Sequence, residues 1–228
     1  MTAEIKKKPT EYALIACDLD GTLYDQPRLR AMMAFRLLRY YLCHPHKVRD
    51  LLIIKYYREI RESWDEIAPK AENKCQCESL DEVQYAYVAS KYGRDSEYVR
   101  EVIDKWMHTN PLDAVKATAD GELVSLLQRF RNKGQKLVIF SDYPIEEKIK
   151  AIGLEADGYY SADNERINEL KPSPKGLNLI MSDYEVTPGE VLVIGDRDSK
   201  DGECARRAGA DYIIVERNVK KRDYSIFC

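Results

Sequence analysis

No stretch of this chain approaches the roughly 18 consecutive apolar residues that a membrane-spanning helix needs. The longest notable aliphatic run is Leu51 to Ile54, so no membrane partner is expected. Charge of one sign is not in excess either. Thirty-six Lys and Arg stand against 39 Asp and Glu, a formal net charge of -3. A dedicated nucleic-acid binder usually carries a strongly basic face, so nucleic acid is not expected as a partner. The apolar stretch after Lys6-Lys7-Lys8 runs straight into Asp18 and lacks the small-residue cleavage site of a secretory signal. The expected location is the cytoplasm. There is no internal repeat and no low-complexity tract.

Cysteine is sparse and scattered. Cys17, Cys43, Cys75, Cys77, Cys204 and Cys228 lie in a chain too large to need disulfide staples, so free thiols are expected. Cys75 and Cys77 form a Cys-x-Cys pair without the second half of any zinc pattern. They read as ordinary loop thiols.

What is present is a set of short buried runs, each ending abruptly in polar residues. Tyr12 to Cys17, Leu137 to Phe140, Val191 to Ile194 and Tyr212 to Val215 read as buried strands. Helical patterns separate them. Residues 121–133 place Leu123, Leu126, Leu127 and Phe130 at spacings of three and four, with Asp120 as N-cap and Gly134 as stop. Residues 174–183 and 200–208 are further candidates. The expected fold class is α/β, a doubly wound, Rossmann-like parallel sheet with helices on both faces.

Residues 27–112 differ. No strand interrupts them, and four apolar stripes recur at helical spacing. These are Leu29, Met32, Met33, Leu37, Tyr40 and Tyr41; then Val48, Leu51, Leu52 and Tyr56; then Leu80, Val83, Tyr87 and Val88; then Val99, Val102, Ile103 and Trp106. The expected organisation is an α/β domain of residues 1–26 and 113–228, with a helical bundle of residues 27–112 inserted after the first strand.

In an open parallel sheet, ligands sit beyond the carboxyl ends of the strands. Asp18-Leu19-Asp20-Gly21-Thr22 follows the first strand and Ser141-Asp142 the second. Gly195-Asp196-Arg197-Asp198 follows another, with Asp201 further on and Lys171-Pro172 in the connection before it. Taken singly, each piece has an ordinary explanation. Aspartate and glycine form turns, Asp201 could cap a helix, and Lys171 could be solvated. Their order and their places after buried strands favour a single site.

In that order the residues resemble the haloacid dehalogenase superfamily, in its phosphatase branch. Asp18 to Thr22 match D-x-D-G-T, Ser141 the Ser/Thr motif, Lys171 the lysine motif, and Gly195, Asp196 and Asp201 the G-D-x-x-x-x-D motif. The inserted helices resemble the α-helical cap of phosphoglycolate phosphatase-like members. The resemblance implies a phosphatase acting on a small phosphorylated metabolite, with Asp18 as nucleophile and Asp20 as general acid and base. It implies Mg²⁺ held by Asp18, the backbone carbonyl of Asp20 and Asp196, with Asp201 in support. It implies phosphate binding by Ser141, Lys171 and neighbouring groups at Leu19 and Asp142. The chemistry is coherent, because a carboxylate attacking an anionic ester needs fixed positive charge at the reacting centre. A carboxyl that starts protonated needs a raised pKa, which the cluster of like charges is expected to supply to Asp20.

A phosphomutase or other phosphotransferase would keep the same residues. A dehalogenase has no leaving alkoxide to protonate, so Asp20 argues against it. A non-catalytic phospho-ligand binder would not need the full set. Asp142 and Arg197 are expected to form a structural pair or to bias substrate entry. The basic residues Arg28, Arg30, Arg36, Arg39, Lys47, Arg49, Lys55, Arg58 and Arg61 read first as a solvated face, and second as contacts to another anionic group on the substrate. His44 and His46 read as a turn. The tyrosines at 40, 41, 56, 57, 85 and 87 read as packing. Residues 68–79 are a candidate specificity loop.

Overall fold

A computed structural model describes residues 2–72, 77 and 79–227. Its centre is β2 (Leu14–Cys17), a run of four fully buried residues. Strands buried on both faces read as unbroken apolar runs, and β3 (Lys136–Ser141) and β5 (Val191–Gly195) have the same character. With β1 (Thr2–Glu4), β4 (Gly158–Ser161) and β6 (Asp211–Ile214), they form one six-stranded sheet in the order β1-β6-β5-β2-β3-β4. All pairs are parallel except β1 with β6. The sheet therefore branches to both sides of β2, the topology that opens a crevice at the carboxyl ends.

The sequence reading contains neither β1 nor β4. Both are short and partly exposed, with no apolar run to mark them. They earn strand conformation only by pairing with β6 and β3.

The Cα positions fall into two compact units, Met1–Arg30 with Ala114–Cys228, and Ala31–Asp113. The second unit holds most of α1 (Gln26–Cys43), then α2 (Asp50–Glu62), α3 (Trp64–Glu72), α4 (Leu80–Tyr92) and α5 (Ser96–Ile103), which runs on into a π-helical stretch, Asp104–Thr109. The last stripe is buried as expected. The second is corrected: Ile53, Ile54, Tyr57 and Ile60 of α2 face inward, whereas Val48 and Leu52 are 48% and 49% exposed. Val48 and Leu52 share an outward face, and the run of Ile53, Ile54, Tyr57 and Ile60 at spacings of three and four took the interior. The tyrosines do pack against one another. Tyr57 stacks on Tyr85 with ring centroids 5.6 Å apart, and Tyr40 meets Tyr41 and Trp106 edge-on.

In the sheet unit, α6 (Leu112–Thr118) leads to α7 (Gly121–Asn132), whose first turn is capped by Asp120 accepting from Glu122 N and Leu123 N. The remaining helices are α8 (Glu146–Ile152), α9 (Lys175–Asp183) and α10 (Glu203–Ala208). Leu14, Ala16, Val138, Phe140, Val191 and Val193 form one core with Leu177 and Ile180 of α9 and Ala205 of α10. The alternate residues Ile15, Leu137, Ile139, Leu192 and Ile194 are equally buried and point to the other face, as a period of two requires.

Cys17, Cys43 and Cys204 are free, but Cys77 is disulfide-bonded, which corrects the expectation of free thiols throughout. Spacing alone does not reveal which thiols a fold brings to bonding distance. Of the expected specificity loop at 68–79, residues 68–72 belong to α3, and residues 73–76 and 78, with Cys75 among them, lie outside the described residues, as does Cys228. No helix among the described residues is long and apolar enough to cross a membrane.

Candidate active site

Register puts the site together. Cys17 at the end of β2 lies opposite Ile139 of β3 and Ile194 of β5, so the residues that follow all three strands emerge at one edge. Asp18 prolongs β2, its N–H donating to Ile194 O at 2.8 Å. The chain then turns tightly. The carbonyl of Leu19, whose side chain is fully buried, accepts from Thr22 N at 3.3 Å and Leu23 N at 3.0 Å. Gly21 has φ +104°, and a Cβ there would stand 2.6 Å from Asp196 Oδ2. Only glycine combines that backbone with so close a neighbour.

Four residues form a buried charged group. Lys171 Nζ donates to Asp18 Oδ1 and to Asp201 Oδ1, each at 2.6 Å, and to Phe140 O at 3.2 Å. Thr22 Oγ1 donates to Asp18 Oδ2 at 2.8 Å. Asp201 Oδ2 accepts from Arg197 N at 3.1 Å, which occupies both of its oxygens. Carboxylate oxygens of Asp18, Asp196 and Asp201 lie within 4.8 Å of one another. Asp196 differs from the others: Oδ2 takes Arg217 Nε at 3.1 Å, and Oδ1 is buried with no hydrogen-bond partner among the described residues.

Three carboxylates thus gather round one buried ammonium. Burial, then the repulsion of Asp201 and Asp196 set against the attraction of Lys171, pushes Asp18 well above the usual carboxylate range. Burial and Asp201 push Asp196 up to about 6. Burial opposes the charge on Lys171, but Asp18 and Asp201 hold its proton firmly. Excess buried negative charge with an orphaned carboxylate oxygen is an environment that a hard cation such as Mg²⁺ fits.

Asp20 faces the other way. Its Oδ1 accepts from Lys148 Nζ at 2.5 Å and from the Tyr24 hydroxyl, and its Oδ2 accepts from Ser141 Oγ at 3.1 Å. Burial would raise its pKa, but the Lys148 ammonium and the hydrogen bonds of Lys148, Tyr24 and Ser141 hold it below the usual range. This corrects the expectation that like charges raise Asp20, because an ammonium, and not the acid cluster, is its nearest charged neighbour. Lys148 lies on α8 and is 6% exposed. Nothing in Glu146-Glu147-Lys148 marks it in the sequence, where it reads as one more solvated helix charge.

Ser141 ends β3 with its hydroxyl on Asp20 and accepts from Tyr143 N at 3.0 Å. Asp142 accepts from the Lys171 backbone N–H at 2.9 Å, tying the strand end to the turn that presents Lys171. Two arginines after β6 also reach the site and are absent from the sequence reading: Arg217 at Asp196, and Arg222. Arg222 is fully buried and donates to Gly21 O at 2.7 Å, Thr22 O at 2.6 Å and Asp120 Oδ2 at 2.7 Å.

Of the basic residues between 28 and 61, Arg61 is buried within the helical unit and donates to Tyr57, Asp81 and Gln84. That corrects both readings of it, as a solvated charge and as a substrate contact, since it is buried and paired inside the helical unit. Arg36 pairs with Asp113 at 2.6 Å. Arg28, Arg30, Arg39, Lys47, Arg49, Lys55 and Arg58 are exposed. His44 lies between α1 and the 3-10 turn Pro45–Lys47 and stacks on Tyr40.

Known proteins are similar to this chain in sequence and in fold. Residues 12–209 match the family model of the haloacid dehalogenase-like hydrolases. A probable D-glycero-D-manno-heptose-1,7-bisphosphate 7-phosphatase of Thermoplasma acidophilum is 27% identical over 115 residues, 41% of this chain and 72% of that protein. The fold is similar to that of a 2-haloacid dehalogenase from Pseudomonas syringae pv. Tomato DC3000, with TM-score 0.61 and 17% identity over 94% of this chain and 90% of that one. It is also similar to a HAD phosphatase from Thermococcus onnurineus, with TM-score 0.53 and 21% identity over 93% and 89%. At such identities the structural likeness establishes the fold alone. The family model, spanning most of the chain and all four motifs, establishes more: this chain belongs to the haloacid dehalogenase-like hydrolases.

Proposed function

We propose that this chain is a Mg²⁺-dependent phosphatase of a small phosphorylated metabolite, working through an aspartyl-phosphate on Asp18. The observation that carries the reading is the second carboxyl, Asp20, held beside the nucleophile but turned away from the acid cluster towards Lys148, Tyr24 and Ser141. Release of an alkoxide needs a proton and release of a halide does not, so a positioned Asp20 suits phosphate esters better than haloacids. The phosphatase relative from Thermoplasma points the same way.

Asp18, Asp196 and the Asp20 carbonyl would hold the Mg²⁺, with Asp201 fixing Lys171 behind them. The cation supplies positive charge that lets an anionic ester approach a carboxylate. Lys171 adds a fixed ammonium 2.6 Å from Asp18 Oδ1. Thr22 and Lys171 together restrain the Asp18 carboxyl for in-line attack. Ser141 and the backbone N–H groups around Leu19 and Asp142 are the phosphate-binding positions. As the bond from Asp18 to phosphorus forms, the bond to the leaving oxygen breaks and Asp20 protonates that oxygen. Asp20 then takes a proton from the water that hydrolyses the intermediate. Its resting ion pair suits the second step; the first is favoured when a phosphate dianion adds negative charge beside it. The helical unit of residues 31–113 is the cap in this reading.

The test is a screen of phosphorylated metabolites for release of inorganic phosphate with and without Mg²⁺. Asp18→Asn should abolish turnover on every substrate found. Activity that survives the substitution would refute Asp18 as the nucleophile, and phosphate appearing only on a second substrate hydroxyl would refute the hydrolytic reading.

A further inference from the structure

Lys148 has no place in the chemistry so far beyond its contact with Asp20, yet it is a nearly buried ammonium at the centre of the site. A buried lysine is costly unless paired, and the ion pair the structure gives it is with Asp20. The two oxygens of Asp20 are treated unequally. Oδ1 receives two donors, Lys148 Nζ and the Tyr24 hydroxyl. Among the described residues, Oδ2 receives only the Ser141 hydroxyl, a group that can turn to donate or accept. The carboxyl is therefore clamped through one oxygen, and the other is left for proton traffic.

Resting on the phosphatase reading, we infer that Lys148 is a positioning residue which, with Tyr24, locks Asp20 through Oδ1 so that Oδ2 is the atom that delivers the proton to the leaving oxygen. As the P–O bond breaks, its electron pair stays on the leaving oxygen and collects the proton from Asp20 Oδ2. Aim matters most where the leaving group most needs that proton. Lys148 stands on α8 directly after the β3 end that carries Ser141, so one strand-helix junction sets both the donor to Oδ2 and the clamp on Oδ1.

The experiment compares wild type, Lys148→Met, Lys148→Arg and Tyr24→Phe on an alkyl phosphate and on p-nitrophenyl phosphate, whose phenolate departs without protonation. With Lys148→Met, kcat on the alkyl ester should fall roughly 10- to 100-fold, a part of the roughly 100- to 10,000-fold that general acid–base catalysis contributes. KM should stay within about 2-fold, and kcat on p-nitrophenyl phosphate should fall less than about 3-fold. Lys148→Arg should recover part of the loss. Tyr24→Phe should show the same leaving-group dependence in weaker form, and it carries the test if Lys148→Met does not fold. Equal losses on both esters would overturn the inference and leave the phosphatase reading standing, as would a rise in KM at constant kcat. Absence of turnover by wild type on either ester, with Mg²⁺ present, would overturn both.

Discussion

Asp196 shows how one side chain sets the demands of its surroundings. Its Oδ2 meets Arg217, which is 56% exposed, while Oδ1 is buried and has no partner among the described residues. Such an oxygen is destabilising until something positive reaches it. A cation bound only by the folded state adds stability by mass action, about 2.7 kcal/mol at a concentration of 100 Kd. Calorimetric melting should therefore move to higher temperature with Mg²⁺, and Asp196→Asn should lose most of that increment. The same increment in the variant would place the cation elsewhere. At this scale, the two site lysines contrast in legibility. Lys171 is visible in the sequence because it lies in the connection before a strand-end motif and matches the lysine motif of the family it resembles. Lys148 is invisible because helix residues flanked by charge look alike until packing shows which one turns inward.

Among elements, β1 is the least self-sufficient, being three residues long and partly exposed. Its anchor is Asp211 at the start of β6. That carboxylate accepts from Lys6 N at 2.9 Å and Tyr12 Oη at 2.6 Å, and pairs with Lys6 Nζ at 3.0 Å. Burial works against the charge on Asp211, but the bonds from Tyr12 and Lys6 hold its pKa below the usual range. Burial and Asp211 push the Tyr12 phenol up to about 12, so it remains a donor. A carboxyl depressed in the folded state adds stability above its unfolded pKa, near 4, and that stability is lost as pH falls through the lower folded value. Asp211→Asn should cost about 1.5–3 kcal/mol in urea unfolding at pH 7, and the gap should close below about pH 4. A gap constant with pH would show that shape, and not charge, holds β1. The contrast with α7 is instructive: its cap, apolar face and stop are all written within residues 120–134, whereas every partner of β1 is distant in the chain.

For the whole molecule, the segment after β6 matters more than its distance from the motifs implies. Arg222 lies beyond the residues matched by the family model, yet it bonds the carbonyls of Gly21 and Thr22 and the carboxylate of Asp120. It also donates to Glu216 O at 2.6 Å. It thereby joins the loop that carries Asp18 to the cap of α7. Removing one partner of a buried ion pair typically costs about 3–5 kcal/mol. Arg222→Met should lower stability by that amount in chemical denaturation, with kcat falling as the Asp18 loop loosens. Full stability in the variant would mean that the two carbonyls and Asp120 find other donors.

The sequence by itself determined the parallel strands that end in Asp18, Ser141 and Asp196, the capped helix α7 and the helical insertion. Those signals are local: apolar runs, a cap residue and helical spacing are complete within a few residues. Tertiary structure alone decided the directions of side chains and the partners of isolated charges. It turned Asp20 from the acid cluster to Lys148, buried Arg61 against Asp81, brought Arg217 to Asp196, and returned Arg222 to the loop after β2. A charged side chain carries no local mark of its partner, since the Coulomb and hydrogen-bond terms that fix it exist only once distant segments are in contact.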